Sequence, residues 1–213
     1  MGIIGALVIL VVCFLLGSFP SGVVIGKVFY HTDIRKQGSG NIGTTNAIRA
    51  LGKKGGYAVF ILDFGKGLLS GFVGVWLYGL FSGDAQAMFT LADGMCFSFL
   101  GCGMGHIFSP WLGFKGGKGI AVCVGCLFVV FGFIGAWIEL GIFIVLVIAT
   151  RYVSVGSIAA AVLCPFLALH YFWGDWLAVV MCLIMALTVI WAHRENISRL
   201  RSGTERRIGD KKE

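Results

Sequence analysis

The sequence predicts an all-α polytopic membrane protein with seven transmembrane helices, an N-terminus outside and a cytoplasmic C-terminus. Hydrophobic residues make up 58% of its 213 residues and charged residues 13%, and the mean hydropathy is +0.92. So little polar surface would not cover a water-soluble globule of this size. All 17 Lys and Arg fall on one side of the expected topology. We expect residues 1–213 to form a single domain.

Seven apolar stretches approach the roughly 20 residues that a helix needs to cross the hydrocarbon core of a bilayer. Helices are expected because backbone amides left unpaired in lipid are not tolerated. The stretches cover 3–26, 57–80, 89–105, 120–135, 140–150, 155–172 and 177–192. The first lacks a basic leading segment and runs past the length of a signal peptide. We therefore expect it to remain as an anchor, bent at Pro20.

Residues 119–150 are almost continuously apolar and suit either one long tilted helix or two short ones. Charge favours two helices, because an outer turn at Glu139 places Lys115, Lys118 and Arg151 on the same side of the membrane. A single helix would separate these cations.

Basic residues orient the bundle, since cytoplasmic loops of membrane proteins collect Lys and Arg. Such residues follow the first span and fill the tail: Lys27, Arg35, Lys36, Arg49, Lys53, Lys54, Arg194, Arg199, Arg201, Arg206, Arg207, Lys211 and Lys212. The connections 81–88, 136–139 and 173–176 hold Asp84, Glu139 and Asp175 but no basic residue. The N-terminus is therefore expected outside.

Neither nucleic acid nor a metal or other cofactor is expected as a partner. The net charge of +7 is dispersed over short membrane-bound loops, which favours the lipid bilayer and phosphorylated small molecules instead. Cys123 and Cys126 form a C-x-x-C inside an apolar span, where a packing role is favoured over zinc or redox chemistry. The sequence carries no signal for the oligomeric state.

The loop at 38–46, Gly-Ser-Gly-Asn-Ile-Gly-Thr-Thr-Asn, matches G-x-G-x-x-G. That pattern binds dinucleotides only between a strand and a helix, whereas an apolar span precedes it here. Closely spaced amides with Ser, Thr and Asn side chains still suit phosphate oxygens. Arg49 would add a bidentate phosphate contact. The alternative is an ordinary polar turn.

A second loop, 105–119, ends in Lys-Gly-Gly-Lys-Gly and leads directly into a span. It lacks the G-K-[ST] ending of a nucleotide P-loop, so ATP hydrolysis is not indicated. A Lys between glycines at a helix start is nevertheless well placed for phosphate. The alternative is that Lys115 and Lys118 only anchor the membrane interface.

Two further polar groups lie at the same membrane level, at 151–157 and 193–205. His193 and Asn196 are three residues apart, so they share one face of a helix leaving the membrane. The alternative for His193 is an interfacial histidine without a catalytic role. Asp63 and Lys66 predict an internal ion pair in the second span, either as a structural brace or as support beneath the site.

Taken in order, these polar runs resemble the signature loops of the PlsY family of bacterial acyl-phosphate:glycerol-3-phosphate acyltransferases. The resemblance covers essentially the whole chain. It implies a seven-helix enzyme of the bacterial inner membrane with a cytoplasmic active site. Such an enzyme moves a fatty acyl group from acyl phosphate to the sn-1 hydroxyl of glycerol 3-phosphate, giving lysophosphatidic acid and phosphate without a cofactor.

The clustering of donors and this resemblance together suggest a role for each candidate residue. The acyl-phosphate head group is assigned to Ser39, Gly40, Asn41, Gly43 and Thr44. The phosphate of glycerol 3-phosphate is assigned to Arg49, Lys118, Ser154 and Ser157. The catalytic group is His193, Asn196 and Glu205. Either His193 or a phosphate oxygen of the substrate removes the proton, and the residues do not separate these two.

Two other functions compete with acyl transfer. One is a small transporter or channel for a phosphorylated or anionic solute, which a polytopic basic protein could be. Intramembrane charge confined to Asp63, Lys66 and Asp93 argues against it, because no polar row crosses the bilayer. The other is a non-catalytic lipid-binding scaffold, for which four phosphate-suited loops would be excessive.

Overall fold

The computed structural model describes residues 1–83 and 88–210, and every regular element within them is helical. The α-helices are α1 (Ile3–Ser18), α2 (Ser21–Tyr30), α3 (Thr44–Phe81), α4 (Leu91–Ile107), α5 (Ile120–Val130), α6 (Gly132–Thr150), α7 (Val153–Tyr171), α8 (Trp176–Ala192) and α9 (Arg194–Arg201). Short 3-10 helices cover Ile34–Lys36 and Pro110–Leu112. The predictions for Asp84, Lys211 and Lys212 lie outside the described residues.

The bundle belongs in a membrane. Within the described residues, five helical segments are long and apolar enough to cross a bilayer, or six if α8 and α9 count as one span despite the 53° bend between them. Large apolar side chains point outward along them, among them Ile4, Ile134 and Ile148, which are more than two-thirds exposed. In a bilayer these side chains face lipid, so the exposed apolar surface is expected for this class.

The predicted division of residues 119–150 into two helices is confirmed, but the predicted turn at Glu139 is wrong. The break lies at Phe131 and Gly132, where the glycine takes a φ of +66° that other residues rarely adopt. Glu139 is buried inside α6. Helix α5 is therefore only 11 residues long, about 16 Å, and is shorter than the hydrocarbon core.

Other helix boundaries follow the apolar pattern more closely. The predicted bend at Pro20 is confirmed, because α1 ends at Ser18 and α2 begins directly after the proline. Helix α3 starts well before the predicted span at 57–80 and carries a kink at Gly52, with φ +79°. The first turns of α3 are polar and precede the apolar run. The 38–46 loop and Arg49 therefore lie at one end of the bundle.

Helices α3 and α5 approach each other at backbone distance. A Cβ at Gly67 would lie 2.0 Å from the carbonyl oxygen of Val122, and one at Gly125 would lie 2.1 Å from that of Phe64. Only glycine permits such proximity, and small residues serve this purpose widely in membrane helix pairs. The contact places the start of α5, with Lys118 just before it, beside the polar end of α3.

Candidate functional site

One large cavity collects most of the polar residues singled out in the sequence. Its volume is about 710 Å³, and it lies among α3, α5, α6, α7 and the α8–α9 corner. All but one of the predicted site residues line it: Ser39, Asn41, Gly43, Thr44, Arg49, Lys118, Ser154, Ser157, His193, Asn196 and Glu205. Gly40 is the exception. The four polar runs, far apart in sequence, therefore meet in one place.

The cavity has a polar end and an apolar wall. The polar end carries four cations, Arg49, Lys118, Arg199 and Arg206. The apolar wall is built by side chains of α3, α5 and α6: Phe60, Phe64, Phe128, Trp137, Leu140, Phe143 and Val147. This arrangement suits an amphipathic molecule with an anionic head and a hydrocarbon tail.

Asn46 organises the 38–46 loop from beneath. Its Nδ2 donates to the carbonyl oxygens of Ile34 (2.9 Å) and Asn41 (2.8 Å), and its Oδ1 accepts from the Ser39 N–H at 2.8 Å. Asn46 is almost completely buried. The loop is therefore preformed, since its turn depends on a side chain that is already satisfied inside the protein.

The expected use of the loop amides needs correction. The Ser39 N–H is taken by Asn46, the Gly40 N–H donates to the Gln37 carbonyl oxygen, and the Gly43 N–H donates to Asn41 Oδ1 at 2.9 Å. Free donors are instead expected at the start of α3, where the first helical amides have no partner in their own helix. The buried Thr44 hydroxyl also has no hydrogen-bond partner among the described residues.

Lys118 reaches the cavity from a loop held tightly on the end of α4. The Gly116 N–H donates to the Ile107 carbonyl oxygen (2.9 Å) and the Gly117 N–H to that of His106 (3.1 Å). Lys118 Nζ then donates to Asn196 Oδ1. Burial lowers the pKa of Lys118, and repulsion from Arg199 adds to this effect.

Glu205 connects the tail to three side chains, two on α9 and one on α7. Its Oε1 accepts from Asn196 Nδ2 (2.6 Å) and Ser154 Oγ (2.8 Å), and its Oε2 accepts from Arg199 Nε (2.7 Å). Burial opposes the charged form, but these hydrogen bonds outweigh it and lower the pKa of Glu205. The carboxylate therefore acts as a brace, with its oxygens already engaged.

His193 lies beyond the end of α8, at the corner where α9 begins. Its Nδ1 is 2.8 Å from the Val189 carbonyl oxygen, which can only accept, so the proton lies on Nδ1 and Nε2 is left as an acceptor. Burial lowers the pKa of His193 to about 4, although the bond to Val189 opposes the shift. The ring is therefore neutral at physiological pH.

The other predicted residues differ in whether their polar groups already have a partner within the protein. Ser157 Oγ donates to the Val153 carbonyl oxygen of its own helix at 2.9 Å. No described carboxylate lies within salt-bridge distance of Arg49, Lys118 or Arg206. Without such a direct contact from the described residues, these cations suit the dianionic phosphate of a small molecule.

The predicted ion pair in α3 is confirmed, with Lys66 Nζ 2.9 Å from Asp63 Oδ1. Lys66 also donates to the Phe19 carbonyl oxygen at 2.7 Å and lies 3.1 Å from His106 Nδ1. Asp63 and His106 both line the cavity. The pair thus belongs to a buried cluster directly against the site.

Several lining residues were missed in the sequence, namely Asn46, His106, Arg199 and Arg206. Asn46, His106 and Arg199 lie inside the polar runs, but other residues of those runs were chosen as site candidates. Arg206 lies one residue beyond Glu205. Its proximity to a predicted site residue was the available signal.

The fold and the cavity define a class: a polytopic α-helical membrane protein with a cavity that is cationic at one end and apolar along its wall. The profile of the family described as glycerol-3-phosphate acyltransferase matches residues 7–203. This chain belongs to that family.

Similar proteins support the assignment. The glycerol-3-phosphate acyltransferase of Lactiplantibacillus plantarum is 38% identical, over 93% of this chain and 90% of that protein. The enzyme of that name from Listeria monocytogenes serovar 1/2a is 37% identical, over 96% and 98%. The crystal structure of PlsY (YgiH) in its glycerol 3-phosphate form has a TM-score of 0.79 and 36% identity, covering 96% of both chains. Its lysophosphatidic acid form gives 0.77 and 35%, covering 96% of this chain and 95% of that one.

Proposed function

We propose that this protein transfers a fatty acyl group from acyl phosphate to the sn-1 hydroxyl of glycerol 3-phosphate. The observation that carries the proposal is the single cavity in which a cationic end continues into an aromatic and aliphatic wall. Glycerol 3-phosphate needs only the first of these surfaces, whereas acyl phosphate and lysophosphatidic acid need both. The solved relative in its glycerol 3-phosphate and lysophosphatidic acid forms supports the same assignment.

The chemistry requires positioning more than activation. Acyl phosphate is a mixed anhydride, so the hydroxyl oxygen can attack its carbonyl carbon directly. The new C–O ester bond forms, the bond from carbonyl carbon to phosphate oxygen breaks, and phosphate leaves with the electron pair. An enzyme that aligns the two substrates and neutralises their charges supplies most of what this step needs.

The two phosphates are assigned to neighbouring parts of the polar end. The head group of acyl phosphate lies at the start of α3, held by Thr44 and the first amides of that helix, with Ser39, Asn41 and Gly43 beside it and Gly40 shaping the turn. The phosphate of glycerol 3-phosphate lies between Arg49 and Lys118, with Ser154 and Ser157 near it. No described carboxylate lies within salt-bridge distance of Arg49 or Lys118, which supports this placement.

His193 is assigned as the acceptor of the hydroxyl proton. Its neutral ring and free Nε2 support this role, because a base must be deprotonated before it acts. Asn196 and Glu205 act as positioning residues: Glu205 holds Asn196, and Asn196 holds Lys118. The competing acceptor is a phosphate oxygen of the substrate.

We also propose the finer topology: seven passes, with the N-terminus outside the cell and the cavity on the cytoplasmic side of the bacterial inner membrane. The Met1 ammonium donates to the Phe89 carbonyl oxygen at 3.2 Å, which supports an N-terminus at the end of the bundle where α4 starts, opposite the cavity. Helix α5 would be the shortest pass. The concentration of Lys and Arg around the cavity supports its cytoplasmic orientation.

A reconstituted assay tests the proposal. Purified protein is incubated with hexadecanoyl phosphate and radiolabelled glycerol 3-phosphate, and lysophosphatidic acid is measured, with hexadecanoyl-CoA as an alternative donor. We expect lysophosphatidic acid when hexadecanoyl phosphate is the donor and none when hexadecanoyl-CoA is the donor. Proteoliposomes loaded with labelled glycerol 3-phosphate test the transporter alternative, and flux without acyl transfer would contradict the enzyme assignment.

A further inference from the structure

The buried cluster of Asp63, Lys66 and His106 has no part in the mechanism above, yet two of its members line the cavity. His106 comes from the end of α4, and the other two come from α3. All three side chains are at least nine-tenths buried. A charged cluster at this depth is unusual in a membrane protein and points to function.

Lys66 determines which ring nitrogen of His106 carries the proton. The ammonium has only donors, and its Nζ lies 3.1 Å from His106 Nδ1, so Nδ1 must accept. The same ammonium donates to the Phe19 carbonyl oxygen and lies 2.9 Å from Asp63 Oδ1. Because these contacts hold Lys66 in place, the neutral His106 ring keeps its proton on Nε2.

The Nε2 edge of His106 is open because residue 117 is glycine. A Cβ at Gly117 would lie 2.1 Å from Nε2, so any side chain there would occupy the space in front of this nitrogen. No described residue accepts a hydrogen bond from Nε2, and the ring lines the cavity. His106 therefore presents a fixed donor next to the loop that carries Lys118.

The position of the cluster identifies the acceptor. Asp63, beside His106, lies on α3 between Phe60 and Phe64, and both rings belong to the apolar wall. Lys118 follows Gly117 and belongs to the polar end. His106 therefore lies between the apolar wall and the polar end of the cavity. In an acyl phosphate, the acyl carbonyl is the group that joins the phosphate to the hydrocarbon chain.

We propose that His106 is a further catalytic residue, whose Nε2–H donates to the acyl carbonyl oxygen of the donor substrate. As the glycerol oxygen bonds to the carbonyl carbon, negative charge develops on that oxygen, and a preorganised donor stabilises it. The charge returns to the carbonyl bond when phosphate leaves, so His106 neither gains nor loses its proton. The inference rests on the proposed acyl-phosphate reaction.

The two cavity histidines then have opposite hydrogen-bonding roles. His193 donates from Nδ1 to the Val189 carbonyl oxygen and keeps Nε2 as an acceptor. His106 accepts at Nδ1 from Lys66 and keeps Nε2–H as a donor. An acyl transfer needs one group of each kind, an acceptor at the attacking hydroxyl and a donor at the carbonyl oxygen.

A pair of variants separates this role from a structural one. In His106→Gln the amide NH2 takes the place of Nε2–H, whereas in His106→Asn the amide reaches only the Nδ1 position beside Lys66. We expect kcat to stay within about tenfold of wild type in His106→Gln and to fall by about 10²-fold or more in His106→Asn. The KM for glycerol 3-phosphate should change little in either. The reverse order, an active His106→Asn and an inactive His106→Gln, would assign a bracing role and overturn the proposal.

A measurement on the wild-type protein covers the case in which a variant does not fold. With 15N-labelled histidine, the His106 ring should show a protonated Nε2 and an unprotonated Nδ1. Its signal is assigned as the one missing from whichever His106 variant folds, or as the one that shifts in Lys66→Met. The opposite tautomer would overturn the proposal. Wild-type protein that makes no lysophosphatidic acid would instead refute the proposed function itself.

Discussion

Asn196 Nδ2 donates a 2.6 Å hydrogen bond to Glu205 Oε1 and so joins the helix that leaves the bundle to the tail that returns over the cavity. Asn196 Oδ1 accepts from Lys118 on its other side. A single amide therefore connects the tail carboxylate with the lysine at the start of α5, so the position of Lys118 depends on a residue 87 positions later in the chain.

The first prediction concerns Glu205→Gln. The variant removes the charge that Arg199, Asn196 and Ser154 share, and in either orientation its amide nitrogen faces at least one existing donor. We expect kcat/KM to fall by about 10²-fold or more, since the loss of a charged hydrogen-bond partner disturbs both Asn196 and Arg199. Glu195→Gln is the matched control, because Glu195 is exposed and lies 3.9 Å from the same Arg199. Equal losses in both variants would contradict the role of Glu205.

The pH dependence of stability follows from the lowered pKa of Glu205. A carboxyl whose folded pKa lies below its ordinary value of 4.5 contributes stability above that value, and the contribution is lost as pH falls through the folded pKa. Wild type should therefore have a higher Tm than Glu205→Gln at pH 7, and the difference should shrink below about pH 4.5. A difference that grew on acidification would contradict this assignment.

His193→Gln tests the proton acceptor. If Nε2 of His193 removes the hydroxyl proton, kcat should fall by about 10²-fold or more. His170→Gln, which alters an exposed histidine near the far end of α7, should leave kcat unchanged. A loss of less than tenfold in His193→Gln would assign the proton to a phosphate oxygen of the substrate.

Lys118→Met and Lys115→Met form a matched pair within one loop. Lys118 lines the cavity without a carboxylate partner among the described residues, whereas Lys115 is exposed. We expect the KM for glycerol 3-phosphate to rise about 10- to 100-fold in Lys118→Met, because a charge-assisted phosphate contact is lost. The KM of Lys115→Met should remain near that of wild type. Similar effects in the two variants would indicate a general loss of positive charge at the membrane surface.

Much of the candidate site could be predicted because its residues form short sequence patterns with a recognisable chemical use. Phosphate binding or proton transfer is suggested by three such patterns: lysine between glycines, Ser and Thr after glycine, and His and Asn three residues apart. The bend at Pro20 and the Asp63–Lys66 ion pair were likewise predictable, because each depends on residues near each other in sequence.

The errors arose where distant contacts or backbone conformation decide the outcome. The turn after α5 was predicted at Glu139 from the distribution of charged residues on the two sides of the membrane. In the structure the helix breaks at Gly132, which has a left-handed conformation, and Glu139 is buried within the next helix. The amides of Ser39, Gly40 and Gly43 were expected to face a ligand, but Asn46, Gln37 and Asn41 occupy them. His106 was missed because its contact with Lys66, 40 residues earlier in the chain, appears only in the fold.

A structure of the protein bound to glycerol 3-phosphate tests the central claim most directly, that distant loops form one binding site. We predict the phosphate within hydrogen-bonding reach of Arg49 and Lys118, and a glycerol hydroxyl pointing toward His193 Nε2. A phosphate bound elsewhere, with Arg49 and Lys118 contacting only solvent or lipid, would contradict the account.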